Sequence, residues 1–205
     1  MAAPEISKKK LQSLQTREAI LEAATRCFAE NGYSGSNLDA IARAAGLTKG
    51  GIYTHFASKA ALFIAIIERA YDRAEAKADA LAASGLPWVE AVIAHLLECI
   101  RNPQFPLDHH LWAEILAVAN REPEVREVFA HYEAQGRVNI KKWLELGMEA
   151  GEIDPALDVE GASGLLVVMA QGAMVRLADM DGLDIDTHLR FFEKAVRTIL
   201  RVKGY

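Results

Sequence analysis

The sequence predicts an all-α protein of about nine helices, with a three-helix N-terminal domain over residues 1–60 and a larger helical domain over 61–205. Three observations carry that reading. Apolar residues recur at three- and four-residue intervals through most of the chain, the period of one helix face. Glycine, proline and Asn-Gly punctuation falls at helical intervals and leaves no segment for a strand. Finally, 205 residues of which 51% are hydrophobic supply a substantial core, without internal repeat or low-complexity linker.

Helix 1 is expected over about 11–31, where Leu14, Ile20, Leu21, Ala24, Cys27 and Phe28 approach helical spacing and Asn31-Gly32 stops it. Helix 2 follows over about 37–45. Asn37 is a good N-cap, Ser36 with Asp39 makes an alternative capping box, and Gly46 falls where the helix must end in a left-handed residue. Helix 3, at about 48–55, contains Gly50-Gly51, each glycine costing about 1 kcal/mol relative to alanine. Close packing against a neighbouring helix and close approach of the backbone to a ligand both account for that cost. Helix 4 begins at the Ser58 cap and runs to about Ala83, where Ser84-Gly85 ends it. Pro87, Pro106 and Pro123 each suit the first turn of a new helix, which sets helices at about 87–101, 106–120 and 123–150, the last stopped by Gly151. Two more are expected at about 156–179 and 186–202.

From Ser36 to Lys59 the chain reads SNLDAIARAAGLTKGGIYTHFASK, the build of a helix-turn-helix running into another capped helix. Ile41, Ala42, Ala45, Leu47, Ile52 and Phe56 supply the apolar contacts that let two short helices cross. The outward residues of helix 3 are then Thr48, Lys49, Tyr53, Thr54 and His55, a set suited to phosphate oxygens and base edges and interrupted by no carboxylate. Lys49, Tyr53, His55 and Lys59 are the candidate phosphate contacts; Thr48, Gly50 and Thr54 lie near base edges, with Asn37 at the adjoining helix start. Lys59 follows the Ser58 cap, where the free amides of helix 4 also hold a phosphate. Asp39 would repel phosphate, so it reads as a cap. The basic stretch Met1 to Lys10 reads as a loose arm, either solvated or resting on the duplex.

The block from about Arg17 to Phe63 carries the Asn31-Gly32 stop, Ile41-Ala42, Ala45-Gly46-Leu47, Lys49-Gly50, Tyr53-x-His55-Phe56 and Ser58-Lys59-x-x-Leu62. It resembles the tetracycline-repressor (TetR) family of bacterial transcriptional regulators. The motif covers roughly a quarter of the chain, and the remainder fits in being helical and of the right length. Asn37 stands where threonine is usual and Asp39 where some members place a basic residue, so the operator does not carry over. The resemblance implies a homodimer joined through its last two helices. It also implies a near-palindromic double-stranded DNA operator, a small-molecule effector and, most commonly, repression.

Charge agrees with presenting one end to a polyanion. Residues 1–60 hold 8 Lys/Arg against 5 Asp/Glu, whereas 61–205 hold 15 against 23, for a net charge of -5. Cys27 and Cys99 are too few and too far apart for a disulfide scaffold, and no apolar run is long enough to span a membrane, so the expected location is cytoplasmic.

In helix 8 the run from Gly161 to Leu177 is apolar apart from Ser163, Gln171 and Arg176, and Leu189, Phe192, Val196 and Ile199 form a second stripe in helix 9. These stripes serve either a dimer interface or their own subunit's core. The middle helices in turn offer either an ordinary core or an effector pocket lined by His95, Cys99, Trp112, Glu114, Phe129 and Trp143, which favours an apolar or aromatic ligand.

His110-x-x-x-Glu114 is conceivable as part of a metal site and Cys99 with His95 as a nucleophile pair, but no Cys cluster, His-Glu-x-x-His run or phosphate-cradling glycine loop is present. No metal, cofactor or enzymatic activity is therefore expected. The function predicted is a ligand-responsive transcriptional regulator. Its rivals are a DNA-binding protein without effector, and a helical enzyme in which the motif is incidental.

Overall fold

The computed structural model describes residues 7–102, 107–176 and 184–202. Among them lie nine helices and no strand: α1 (Lys8–Gly35), α2 (Leu38–Ala44), α3 (Lys49–Tyr53), α4 (Lys59–Ala82), α5 (Trp88–Arg101), α6 (His109–Ala119), α7 (Pro123–Glu149), α8 (Val159–Arg176) and α9 (Ile185–Ile199).

Where helix ends differ from expectation, a cap explains it. α1 opens at Lys8 because the Ser7 hydroxyl accepts from the Lys10 amide, so Lys8 to Lys10 form a first turn rather than an arm, and Met1–Ile6 lie outside the described residues. At its other end Gly32 turns to φ 69° and the chain then resumes helical conformation as far as Gly35; Asn31-Gly32 is a kink, not a stop. α2 is capped by Asn37, whose Oδ1 accepts from the Ala40 amide at 2.9 Å. Ser36 is instead buried, donating to the carbonyls of Cys27 and Gly32. Gly46 takes the left-handed φ of 71° that its position demanded. α6 starts at His109 because Asp108 caps it, accepting from the amides of His110 and Leu111 at 3.0 and 3.2 Å. Pro106, expected in that first turn, lies outside the described residues, as do positions 177–183 beyond α8.

α1 to α4 share a nucleus in which Phe63 meets Phe28 edge-on at 5.1 Å and Tyr33 at 4.9 Å. Ile20, Leu21, Ile41, Ile52 and Leu62 close it completely to water. Each such side chain contributes about 1.5–3 kcal/mol by its burial. In the larger unit α5 is central, packing on α4, α7, α8 and α9, while α6 bridges α1 to α7 and α8. Arg197 of α9 donates from both terminal nitrogens to Glu90 of α5, at 2.8 and 2.9 Å, a two-pronged tie that fixes the last helix.

That placement decides the role of the α9 stripe. Leu189 and Val196 are fully buried in their own subunit, and Phe192 and Ile199 pack against the same core. On α8 and α9 the large apolar side chains left open are Leu165 and Val168, 48% and 64% exposed, with Ile185 and Phe191 at 40% and 66%.

Candidate nucleic-acid interface and internal cavity

α3 is a short helix held by its own cap and by one buried side chain. Thr48 Oγ1 accepts from the Gly51 amide at 3.2 Å, and Ile52 is fully enclosed in the core where α3 packs on α2, which turns the rest of the helix outward. Thr48, Lys49, Gly50, Tyr53 and Thr54 are exposed and His55 is half-buried beside them. Asn37, Lys49, Tyr53 and Lys59 border one shallow depression where α2, α3 and the start of α4 meet. The candidate contacts are thus brought to one surface.

Several have intramolecular duties that sequence reading missed. Lys49 Nζ donates to Asp39 Oδ2 at 2.8 Å, a bond that raises the pKa of the ammonium further. Asp39, expected as a cap, therefore stands as the counter-charge on the outward face; Asn37 took the capping role. Thr54 Oγ1 donates to the Gly51 carbonyl at 2.7 Å. Lys59 departs most from expectation. Its ammonium donates to the carbonyls of Tyr33 and Ser36 at 2.7 and 3.1 Å and sits 4.3 Å from the Tyr33 ring centroid. It clasps the end of α1 to the start of α4, so two of its three N–H groups are engaged within the protein.

Gly50 has no packing reason. A β-carbon built there meets nothing within 4 Å, and one at Gly51 meets Thr48 and Leu47 only at ordinary contact distance. Neighbouring helices do not account for the helix-propensity cost at Gly50.

The second feature is a cavity of about 440 Å³ bounded by α4, α5, α6, α7 and α8. His95, Cys99, Trp112 and Trp143 line it as expected. Glu114 and Phe129 do not. Phe129 lies behind Trp112, ring centroids 6.0 Å apart, because α7 presents it to α6 rather than to the void. Glu114 points away from the cavity toward α1, where its Oε1 accepts from the Tyr33 amide at 2.7 Å. That bond also removes it from the conceivable site with His110, and among the described residues no group of three His, Cys, Asp or Glu side chains is arranged for a metal ion.

Tyr71, Asp72 and Glu75 of α4 and Glu133 of α7 line the cavity and were not foreseen. Their signal was present: Tyr71 and Glu75 lie one helical turn apart on α4, from which the sequence reading drew no pocket residue. Burial holds His95 neutral, its pKa lowered to about 4, and pushes the Cys99 thiol up to about 12, assisted by Glu98. Such a thiol is inert near neutrality, against a nucleophilic pair. No helix among the described residues is long and apolar enough to cross a membrane.

Comparison with known proteins matches both ends of the chain. Residues 20–66 match the family model for bacterial regulatory proteins of the tetR family, and residues 88–201 match that for the C-terminal part of BetI-type transcriptional repressors. The transcriptional regulator UidR of Escherichia coli strain K12 is 28% identical over 176 residues, covering 86% of this chain and 87% of that protein. The regulator YhgD of Bacillus subtilis strain 168 is 33% identical over 146 residues, covering 70% and 74% respectively. Among solved structures, Salmonella enterica GusR shares the fold with a TM-score of 0.77 at 24% identity, over 97% of this chain and 100% of that one. With its helix-turn-helix and its C-terminal helices both matched, this chain belongs to the TetR family of bacterial transcriptional regulators.

Proposed function

We propose that this regulator is a cytoplasmic homodimeric repressor that reads a near-palindromic operator through α3 and is released when a small molecule fills the cavity. The division between the DNA-binding and effector units falls near residue 60, at the start of α4. The observation that carries the reading is the path between the two features. Trp112 of α6 lines the cavity, and Glu114, two residues further along that helix, holds the Tyr33 amide at the end of α1. The Tyr33 and Ser36 carbonyls in turn hold Lys59. A ligand that displaces α6 therefore acts on the base of α4 and on the spacing of the two α3 helices; it favours release only if it binds the released form better, with about 1–3 kcal/mol the usual coupling.

Dimerisation is supported by the open apolar surface of α8 and α9. Gly161, Leu165, Val168 and Gly172 recur along one exposed line of α8, and Phe191 stands beside them on α9. On the DNA side, Lys49, Tyr53 and His55 are suited to phosphates and Thr48, Gly50 and Thr54 to base edges.

The test is fluorescence anisotropy of the duplex directly upstream of the gene, titrated with protein over a salt series beside Tyr53→Ala and Lys49→Ala. Saturable binding of two subunits per site, far tighter than to scrambled DNA and weakened in both variants, is the expected result. Equal weak binding to that duplex and to every duplex selected from a random pool would overturn the reading.

A further inference from the structure

We propose that the cavity is built for an organic cation, a ligand carrying an ammonium group on an aromatic or bulky apolar body. This rests on the effector reading above and names its ligand class. Three carboxylates line the cavity, Asp72 and Glu75 at its exposed rim and Glu133 deeper, and no lysine or arginine does. Glu133 is aimed by Gln171, whose Nε2 donates to it at 2.8 Å. His95, the imidazole facing the interior, is kept neutral by its burial and so does not offset them. The three carboxylates are thus the fixed charges on the lining, and His131 is its second imidazole.

The walls are aromatic as well as acidic. The Tyr71 and Tyr132 rings lie nearly parallel, 13° apart with centroids 4.9 Å apart, and Trp112 leans on Tyr71 at 6.0 Å. Stacked on each other, the two phenols keep one outer face apiece, and such a face attracts a cation through the ring quadrupole, most strongly where water is excluded. The phenols do not compete with the carboxylates by ionising. Burial, then Glu133, raises the Tyr71 hydroxyl, and burial followed by Glu68, Asp72 and Glu75 raises Tyr132.

Two polar atoms mark the interior as unfinished. Trp112 Nε1 and His95 Nδ1 are shut off from solvent and have no hydrogen-bond partner. Buried polar groups in folded proteins are nearly always paired, so these are a donor and a ring nitrogen left for a guest. The volume, about 440 Å³, lies in the range of small-molecule sites.

The experiment is isothermal titration of the full-length protein with three probes of similar bulk: 4-phenylbutylammonium, 4-phenyl-1-butanol and 4-phenylbutyrate. The cation is expected to bind at least about ten-fold tighter than the alcohol, and the carboxylate most weakly. Glu75→Gln and Glu133→Gln should each reduce that preference by several-fold while leaving the alcohol unchanged. Alcohol or carboxylate binding as tightly as the cation overturns the inference and leaves the effector cavity standing, as does a preference that survives both glutamine variants. Silence with all three probes removes the effector reading and this inference together.

Discussion

Replacing Glu114 by alanine strands the Tyr33 amide at the junction between α6 and α1. The bond is short, 2.7 Å, and its acceptor is a carboxylate in a partly buried setting. Hydrogen bonds to charged groups contribute about 1.5–3 kcal/mol, and part-burial places this one near the lower half, at about 2 kcal/mol. Glu114→Gln keeps an acceptor oxygen and loses the charge, which costs about 1 kcal/mol. In a chain of this length 1 kcal/mol corresponds to about 2–4 °C in Tm, so the alanine variant should melt about 4–8 °C lower and the glutamine variant about half as far. A second readout follows from what the bond holds. Loosening Tyr33 relaxes the carbonyl that secures Lys59. Anisotropy should therefore show operator affinity falling in the order wild type, glutamine, alanine, with a correspondingly smaller response to any effector. Calorimetry that finds both variants within about 1 °C of wild type would refute the reasoning. Equal losses in the two would refute its electrostatic part.

Gly50→Ala should raise thermal stability by up to about 1 kcal/mol, since its methyl enters open space, and weaken operator binding if the α3 backbone approaches the bases; unchanged affinity would dismiss that approach. Asp39→Asn releases Lys49, and the salt dependence of DNA binding should steepen by about one unit of slope with higher affinity at low salt, whereas an identical slope would show that Asp39 does not restrain the ammonium. For His95 the folded pKa of about 4 lies below the ordinary value near 6.5, so its contribution is fully present above pH 6.5 and is lost as pH falls toward 4. The loss is about 3 kcal/mol at most, and urea midpoints measured across that window should fall more steeply in wild type than in His95→Gln; parallel curves would contradict the burial argument.

Most of the fold was legible because helices announce themselves locally. Caps such as Ser58 and Asn37 and stops such as Gly46 act within a few residues, and each behaves as its local chemistry requires. The exceptions have local causes of another kind. Pro106 was the more conspicuous signal, but Asp108 supplies the oxygen that two orphan amides need, so the helix waits for it. Gly32 breaks the φ pattern without ending the segment, because Ser36 returns a hydroxyl to its carbonyl and the last turn closes around that bond.

The site was legible to the extent that its chemistry faces outward from one helix. Lys49, Tyr53 and Thr54 fall on an open surface, with His55 half-buried beside them, because the enclosed Ile52 and Phe56 hold the opposite side inward. Lys59 and Glu114 resisted reading for the opposite reason. A lysine after a helix cap and a glutamate on an amphipathic helix both read as solvent or ligand contacts, and in either case the deciding partner is a backbone group distant in sequence: Lys59 reaches the carbonyls of Tyr33 and Ser36, and Glu114 the Tyr33 amide. Both partners sit on the stretch that the Gly32 kink diverts. A left-handed residue at position 32 sends the chain out of register with α1 and exposes its amide and carbonyls sideways, where α4 and α6 can take them. The kink thus adds a hydrogen-bonded link to the direct packing of α1 against α4 and α6. It joins the helix that carries Trp112 to the helix that follows α3, through bonds that no periodicity in the sequence encodes.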